Sequence, residues 1–313
     1  MEFVRSLPYD HPFRWDATPV GGSKLWRPDE LGADLVLWLD AEDTASITLN
    51  GTDVAQWDDK SSSGFDASQP TASSQPAYLA TGFNGKPTLQ TDGADYLEFG
   101  QVGLGRSVGA ITCAIVGVHP VTQTFSTNAN EIFISVGSGS SGSTRFATTP
   151  NPTASTGDRY AIAGRRLDSD AFDTVSSSTD SLANRGNPWI RVAQRVYTQN
   201  VGNHWTDGTQ DLANAPFITQ TAGVTDDRDC LRAEVFNGAA VMPNGSQLSE
   251  IVLTHSEVTT NDRQKLEGYL AWHWELESNL PVGHPYASTP PIIAAQVDDA
   301  PIFLFFRKKP WRP

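Results

Sequence analysis

The side chains of this chain that could do chemistry are carboxylates and a few histidines. Asp40, Glu42 and Asp43 form the tightest acidic group, but they fall where an apolar run gives way to a turn. Paired general acid and nucleophile work needs two carboxylates presented together on one face, which alternate positions of a strand provide and a turn does not. His273 and His284, with carboxylates nearby, have the donor types of a metal site. No tight ligand spacing links them, so a packed, hydrogen-bonded histidine is the plainer reading. The chain has no His-Glu-x-x-His and no Gly-x-x-x-x-Gly-Lys-Ser/Thr phosphate loop. No catalytic residue, metal ligand or cofactor is assigned, and the chain is expected not to be an enzyme.

The elements that would position these groups read as strands. Leu35 to Leu39 is a continuous apolar run of strand length, preceded by Gly32 and followed by the acidic turn, as expected for a strand covered on both sides. Asn50-Gly51 is a tight-turn dipeptide, and Val54 to Trp57 leads into Asp58-Asp59-Lys60 and a serine loop. Pro87 to Phe99 reads as a hairpin around Asp92-Gly93. Ala110 to Val118 is the most continuous apolar strand and is placed centrally, with Glu131 to Val136 as another strand. Gly137 to Thr156 reads as a long exposed loop. Arg159 to Leu167 and Ile190 to Tyr197 alternate as half-buried strands do, and Trp205 to Thr209 carries Asp-Gly at a hairpin turn. Leu231 to Phe236 and Gln247 to Thr254 supply further strands. One helix is expected over Asn261 to Leu276, capped by Thr259 or Thr260, with Leu266, Leu270 and Trp274 facing a sheet and Lys265, Glu267, Glu275 and Glu277 in solvent.

At these residues a resemblance enters. LWLDAED, VAQWDDKSSSGFDASQ and QPAYLATGFNGKPTLQTDGADYLEF, with LSEIVLTHSEVTTNDRQKLEGYLAWHWELESNLPVGHPY near the far end, resemble the opening and closing segments of laminin-G-like domains. These are concanavalin A-like lectin/glucanase jelly rolls, here of the kind found in virion proteins of tailed bacteriophages. The resemblance implies an all-β jelly-roll sandwich over residues 31–286 with one C-terminal amphipathic helix. Glucanases of this shape carry a Glu-x-Asp-x-x-Glu strand, and none is present. Related jelly rolls often hold calcium at a loop rim. Asp92 with Asp95, and Asp226, Asp227 and Asp229, have the oxygen donors, but neither stretch supplies six ligands in a recognisable series, so a structural calcium stays open and unassigned.

Composition limits the partners. The 313 residues carry 22 basic and 36 acidic side chains, a formal net charge of −14, so a nucleic-acid groove is not expected, because phosphate contacts need clustered Lys and Arg. No apolar run reaches the length of a membrane span, and no export signal is read in MEFVRSLPYDHPF. Synthesis in a bacterial cytoplasm and residence in the virion are expected. Cys113 and Cys230 are the only cysteines, expected as buried thiols with a disulfide left open.

The two ends differ from the rest. Residues 1–30 are rich in proline and aromatics, including Phe13, Trp15 and Trp26, and read as an extended arm that lies either on this same domain or on a neighbouring subunit. Residues 287–313 form a proline-rich linker and a docking peptide, with Ile302, Phe303, Leu304, Phe305 and Phe306 followed by Arg307, Lys308, Lys309 and Trp311. The expectation is a non-catalytic accessory capsid decoration or cement protein. Its arms would grip the major capsid protein or neighbouring copies, as a homo-oligomer or within a virion. The alternative is a glycan-binding, host-adhesion module of a tail or head fibre, stacking sugar rings on a rim aromatic such as Trp205.

Overall fold

The computed structural model describes residues 24–100, 109–121, 129–135, 144–150, 159–180, 184–218, 232–236 and 242–293. In chain order the first strands are β1 (Lys24–Leu25), β2 (Leu35–Asp40), β3 (Ile47–Asn50), β4 (Asp53–Trp57), β5 (Ala67–Ser68), β6 (Ala77–Leu79), β7 (Thr88–Gln90), β8 (Leu97–Glu98) and β9 (Ala110–Val118). There follow β10 (Ile132–Ser135), β11 (Thr144–Thr149), β12 (Arg159–Gly164), β13 (Asp173–Asp180), β14 (Trp189–Val196), β15 (Val201–Thr206), β16 (Thr209–Pro216), β17 (Arg232–Val235), β18 (Gln247–Thr254), helix α1 (Thr260–His273) and β19 (Ile292–Ile293). All pairings are antiparallel.

The chain divides into two compact units. In the smaller, the described residues are a short ribbon that pairs Lys24 with Ile293 and Leu25 with Ile292. The larger, residues 27–291, is an antiparallel β-sandwich. One layer runs β13–β12–β11–β10–β17–β8–β5–β4–β3. In the other, β2 and β7 lie along one side of β18, followed by β9, β14, β15 and β16. Strand β6, pairing with both β4 and β7, joins the layers along one side.

Register explains how the second layer buries both of its faces. Opposed residues in an antiparallel pair share a face. Leu39, Ile251 and Ile115 are aligned, as are Leu37, Leu253 and Cys113, and all are essentially unexposed. The other face aligns Trp38, Val252, Ala114, Val192 and Trp205, and Asp40 with Glu250. Helix α1 packs against β9 and β14, so β9 is buried along nearly its whole length and reads as one apolar run.

The expected turn at Asp207-Gly208 is present, with φ 50 and 76, and the one expected at Asn50-Gly51 falls one residue on, at Gly51-Thr52 between the paired Asn50 and Asp53, with Gly51 at φ 70; both have the mirror-image turn geometry that suits the right-handed twist of flanking strands. Three expectations are corrected. Pro87 to Phe99 is no hairpin: β7 pairs with β6 and β18, whereas β8 pairs with β5 and β17. The loop expected over 137–156 contains β11, buried at all six positions, because its Gly- and Ser-rich flanks hid a short strand. β14 is buried throughout, not half-buried, because its alternation separates a face under α1 from the Arg191 and Arg195 face between the layers.

Thr259 caps α1, its Oγ1 accepting from the Asp262 N–H at 3.1 Å. Leu266, Leu270 and Trp274 are buried as expected. Glu267, expected in solvent, is fully buried, because Arg263 and His284 enclose its carboxylate. No helix among the described residues is long and apolar enough to cross a membrane.

Candidate functional site

The residues that carried the family resemblance meet in one place, between the second layer and α1. Trp38 and Asp40 come from β2, Glu250 from β18, and His273 and Trp274 from the end of α1. The indole N–H groups of Trp38 and Trp274 donate to the two oxygens of the Glu250 carboxylate at 2.7 and 2.5 Å. His273 Nε2 lies 3.5 Å from Asp40 Oδ1, 3.2 Å from Glu42 Oε2 and 3.8 Å from Glu250 Oε2. Lys60 reaches Asp40 Oδ2 at 2.8 Å and sits over the Trp38 ring, while Lys86 pairs with Glu42 at 2.9 Å. Asn84, at φ 53, donates to the Trp274 carbonyl at 2.8 Å.

The electrostatics follow from burial and charge pairing. Burial works against a charge on His273, but its hydrogen bond to Asp40 and the charges of Glu250, Asp40 and Glu42 outweigh it and raise its pKa. Burial also opposes ionisation of Asp40, yet His273 and Lys60 hold it well below the usual carboxylate range. Glu250 is pushed up to about 7 by burial and by the Asp40 charge, against the pull of His273 and the two indoles. Asp40, Glu250 and His273 place ligand atoms within 4.8 Å of one another, the reach of a metal ion. Here Lys60 and a protonated His273 already supply the positive charge, and indole N–H groups fill Glu250. The arrangement is an ion-pair clamp fastening α1 to the sheet.

His273 and His284, the two donors weighed for a metal site, do not meet; each lies against carboxylates in its own buried cluster. His284 Nε2 lies 3.1 Å from Glu267 Oε2, in a separate cluster with Arg263. The Arg263 guanidinium covers the Trp205 ring at 4.4 Å, and Trp205 is buried. Its ring therefore has no open face for a sugar, which corrects its assignment as a stacking residue: β15 turns it under α1. Asp92 and Asp95 tie their own turn, Asp95 Oδ2 accepting from Asp92 N at 2.7 Å and Asp92 Oδ1 from Ala94 N at 2.8 Å. Together with Asp53 they line a hollow of about 220 Å³, where burial and the charges of Asp92 and Asp53 push Asp95 up to about 6. Asp226, Asp227, Asp229, Phe13, Trp15 and Ile302 to Trp311 lie outside the described residues; Trp26 is 3% exposed.

A second buried ion pair bridges the layers. The Arg191 guanidinium lies between the rings of Tyr160 and Trp189, at 3.8 and 3.6 Å, and pairs with Glu131, which His119 Nε2 also contacts at 3.0 Å. Burial, then the Arg191 and Arg185 charges, keep His119 neutral. All of these side chains are sealed from solvent.

Open space of ligand size lies elsewhere, in a groove of about 610 Å³ at β5, β8 and their flanking loops. Phe65 and Tyr96, both half-buried, line it with Asp66, Glu98, Ser68 and Gln69. Its wall is fixed locally. Asp59 Oδ2 accepts from Phe65 N at 3.0 Å, and Asp66 Oδ1 accepts from Asp59 N at 2.9 Å. Tyr96 N donates to Ser74 O at 3.1 Å, Gln69 Nε2 reaches the Tyr96 carbonyl at 3.4 Å, and Ser68 pairs with Glu98 in register. An exposed ring presents a face to the weakly positive C–H groups of a sugar, while carboxylate, amide and hydroxyl groups bond its hydroxyls. Sequence reading passed over these residues as a site; the signal was an aromatic beside an acid in Phe65-Asp66 and again in Asp95-Tyr96.

No protein-family model matches this chain, nor does any curated protein sequence. Among solved structures, it is similar to a Trypanosoma rangeli sialidase at 13% identity, covering 74% of this chain and 32% of that one, with a TM-score of 0.47. It is also similar to domain 4 of AbnA, a GH43 extracellular arabinanase from Geobacillus stearothermophilus, at 12% identity, covering 72% and 94%, with a TM-score of 0.44. The binding domain of Paraclostridial mosquitocidal protein 1 matches at 7% identity, covering 77% and 53%, with a TM-score of 0.48. The chain thus spans about a third of the sialidase, and at these identities the likenesses concern the β-rich fold alone. The expected capsid decoration protein is corrected. That reading rested on a phage resemblance, and the matches are a sialidase, an arabinanase domain and a toxin domain instead.

Proposed function

We propose that this chain is a glycan-binding module whose site is the Phe65–Tyr96 groove. The observation that carries the reading is the pair of half-exposed rings lining a space of about 610 Å³ together with carboxylate, amide and hydroxyl groups. A space of this size takes a ligand of a few sugar rings. The backbone bonds that seat Phe65 and Tyr96 place the rings before any ligand arrives, which limits the ordering cost of binding. Membership of the laminin-G-like class belongs to the same proposal. It is supported by the meeting of Trp38, Asp40, Lys60, Lys86 and His273, all from the quoted motifs, in one clamp.

The test is a glycan array followed by calorimetry on wild type, Phe65→Ala and Tyr96→Ala. Each substitution is expected to weaken binding by about tenfold or more, as loss of a stacked ring costs about 1.4 kcal/mol or more, with the melting temperature close to wild type. Absence of binding to every glycan at millimolar concentration, or undiminished binding by both variants, overturns the proposal. Following released reducing ends in the same incubations separates binding from turnover.

A further inference from the structure

Resting on the glycan-binding reading, we infer that the groove sorts glycans by charge: it takes sugars bearing a free, protonated amino group, accepts neutral ones less well, and rejects those carrying carboxylate or sulfate.

Acids dominate the ionisable lining of the groove. Among the described residues, its ionisable groups are Asp66, Glu98 and Tyr96, and none is Lys, Arg or His. Glu98 is exposed and sits in register with Ser68 across β5 and β8, so its carboxylate is available to a ligand at the groove wall. Asp66 is also exposed; its Oδ1 accepts from Asp59 N at 2.9 Å, and its Oδ2 accepts only a long bond from Gln56 Nε2 at 3.4 Å. Asp58 and Asp59 stand just behind it in the same turn. The nearest cation in that turn, Lys60, is committed to Asp40 and Asp43 at 2.8 and 3.0 Å, on the clamp side.

Charge at such a wall has two consequences. A carboxylate accepts hydrogen bonds only, so it suits a sugar hydroxyl, suits an ammonium better, and repels an anionic sugar that has no donor to offer in its place. The formal net charge of −14 adds a long-range field of the same sign, which raises the local concentration of cationic ligands and lowers that of anionic ones. An exposed ion pair is worth a few-fold in affinity at low salt and is screened as salt rises.

The experiment measures binding of three defined probes by the full chain: a chitosan tetramer with free amines, its fully N-acetylated counterpart, and sialyllactose. At low ionic strength the free-amine tetramer is expected to bind about fivefold tighter than the acetylated one, with sialyllactose weakest. The amine preference should shrink towards unity at about 0.5 M salt. Glu98→Gln should remove most of that preference, weakening the free-amine tetramer several-fold more than the acetylated one. Equal or tighter binding of sialyllactose, or an amine preference indifferent to both salt and Glu98→Gln, overturns the charge sorting and leaves the glycan-binding reading standing. If none of the three probes binds and Tyr96→Ala changes nothing on a wider array, both fail together.

Discussion

Trp38 and Glu250 lie 212 residues apart in sequence and are joined by a 2.7 Å hydrogen bond from the indole to a carboxylate oxygen. Trp274 donates to the other oxygen, so one acid satisfies two buried donors from opposite sides of the helix–sheet interface. Glu250→Ala would leave both indoles unpaired and remove a fully buried side chain. We expect a loss of about 3–5 kcal/mol, since each buried donor left unsatisfied costs about 1–3 kcal/mol, read as a lower denaturant midpoint. Glu250→Gln keeps one acceptor and should lose about half as much. A midpoint for Glu250→Ala within error of wild type would contradict the clamp.

The same clamp predicts how stability depends on pH. His273 has a folded pKa above its ordinary value of 6.5, so its contribution is complete below that value and is lost as pH rises through the folded one. Glu250, raised from 4.5 to about 7, acts with the same sign: between those values the folded state holds a proton that the unfolded chain has released. Asp40 is depressed, so its contribution is present above 3.8 and is lost on acidification through its folded value. The clamp's contribution to the melting temperature should therefore fall between about pH 5 and pH 8, by a few degrees, against the opposite contribution of the neutral His119, so His273→Gln should make the curve fall less steeply than wild type over this range. A His273→Gln variant with the wild-type slope would refute the assignment of charge.

Most of the frame was legible in the sequence because local rules dominated there. Leu35 to Leu39, Ala110 to Val118, the Asn-Gly and Asp-Gly turns, and the Thr259 cap each need only a period, a turn residue or a capping hydroxyl. What was not legible depended on register between distant segments. Glu267 reads as a solvated helix position until β15 and the Pro281 to Tyr286 segment bring Trp205 and His284 to the same helix. Trp205 reads as a rim aromatic for the same reason. The groove was missed because Phe65 and Tyr96 are 31 positions apart and neither belongs to a regular pattern.

Asp59 links the clamp to the groove. Its Oδ1 accepts from Trp38 N at 2.8 Å and its Oδ2 from Phe65 N at 3.0 Å, with Ser61 bonded to both oxygens. Asp59→Ala should cost about 2–3 kcal/mol, a few net hydrogen bonds to a charged group. It should also weaken glycan binding several-fold without touching a lining residue, because Phe65 loses its anchor. Asp59→Asn, retaining one acceptor, should fall between. Full affinity in Asp59→Ala would separate the groove from the turn.

Cys113 lies in β9, fully buried in the sandwich interior, and burial pushes its thiol well above the ordinary range. The thiolate is the reacting form, so in a Cys230→Ser background a thiol reagent should label Cys113 only as fast as the protein unfolds. The rate should rise sharply with added denaturant. Rapid stoichiometric labelling under native conditions would place Cys113 at the surface and contradict the register of β9 with β18.

Gly268 decides how closely the chain beyond α1 approaches the helix. A Cβ there would lie 2.5 Å from the Tyr286 Cβ and 2.8 Å from its Cγ, while Trp272 holds the Tyr286 carbonyl through a 2.8 Å bond. Intrinsic propensity favours Ala over Gly inside a helix by about 1 kcal/mol, so on local grounds Gly268→Ala should stabilise. The overlap opposes this, because Tyr286 can retreat only by breaking the Trp272 bond, and overpacking of this kind costs about 1–3 kcal/mol. Steric cost should therefore win, giving a net loss of up to about 2 kcal/mol in unfolding free energy. Truncating the ring by Tyr286→Ala should bring the Gly268→Ala penalty down. A stabilised Gly268→Ala single variant would show that Tyr286 does not pack on this turn of the helix.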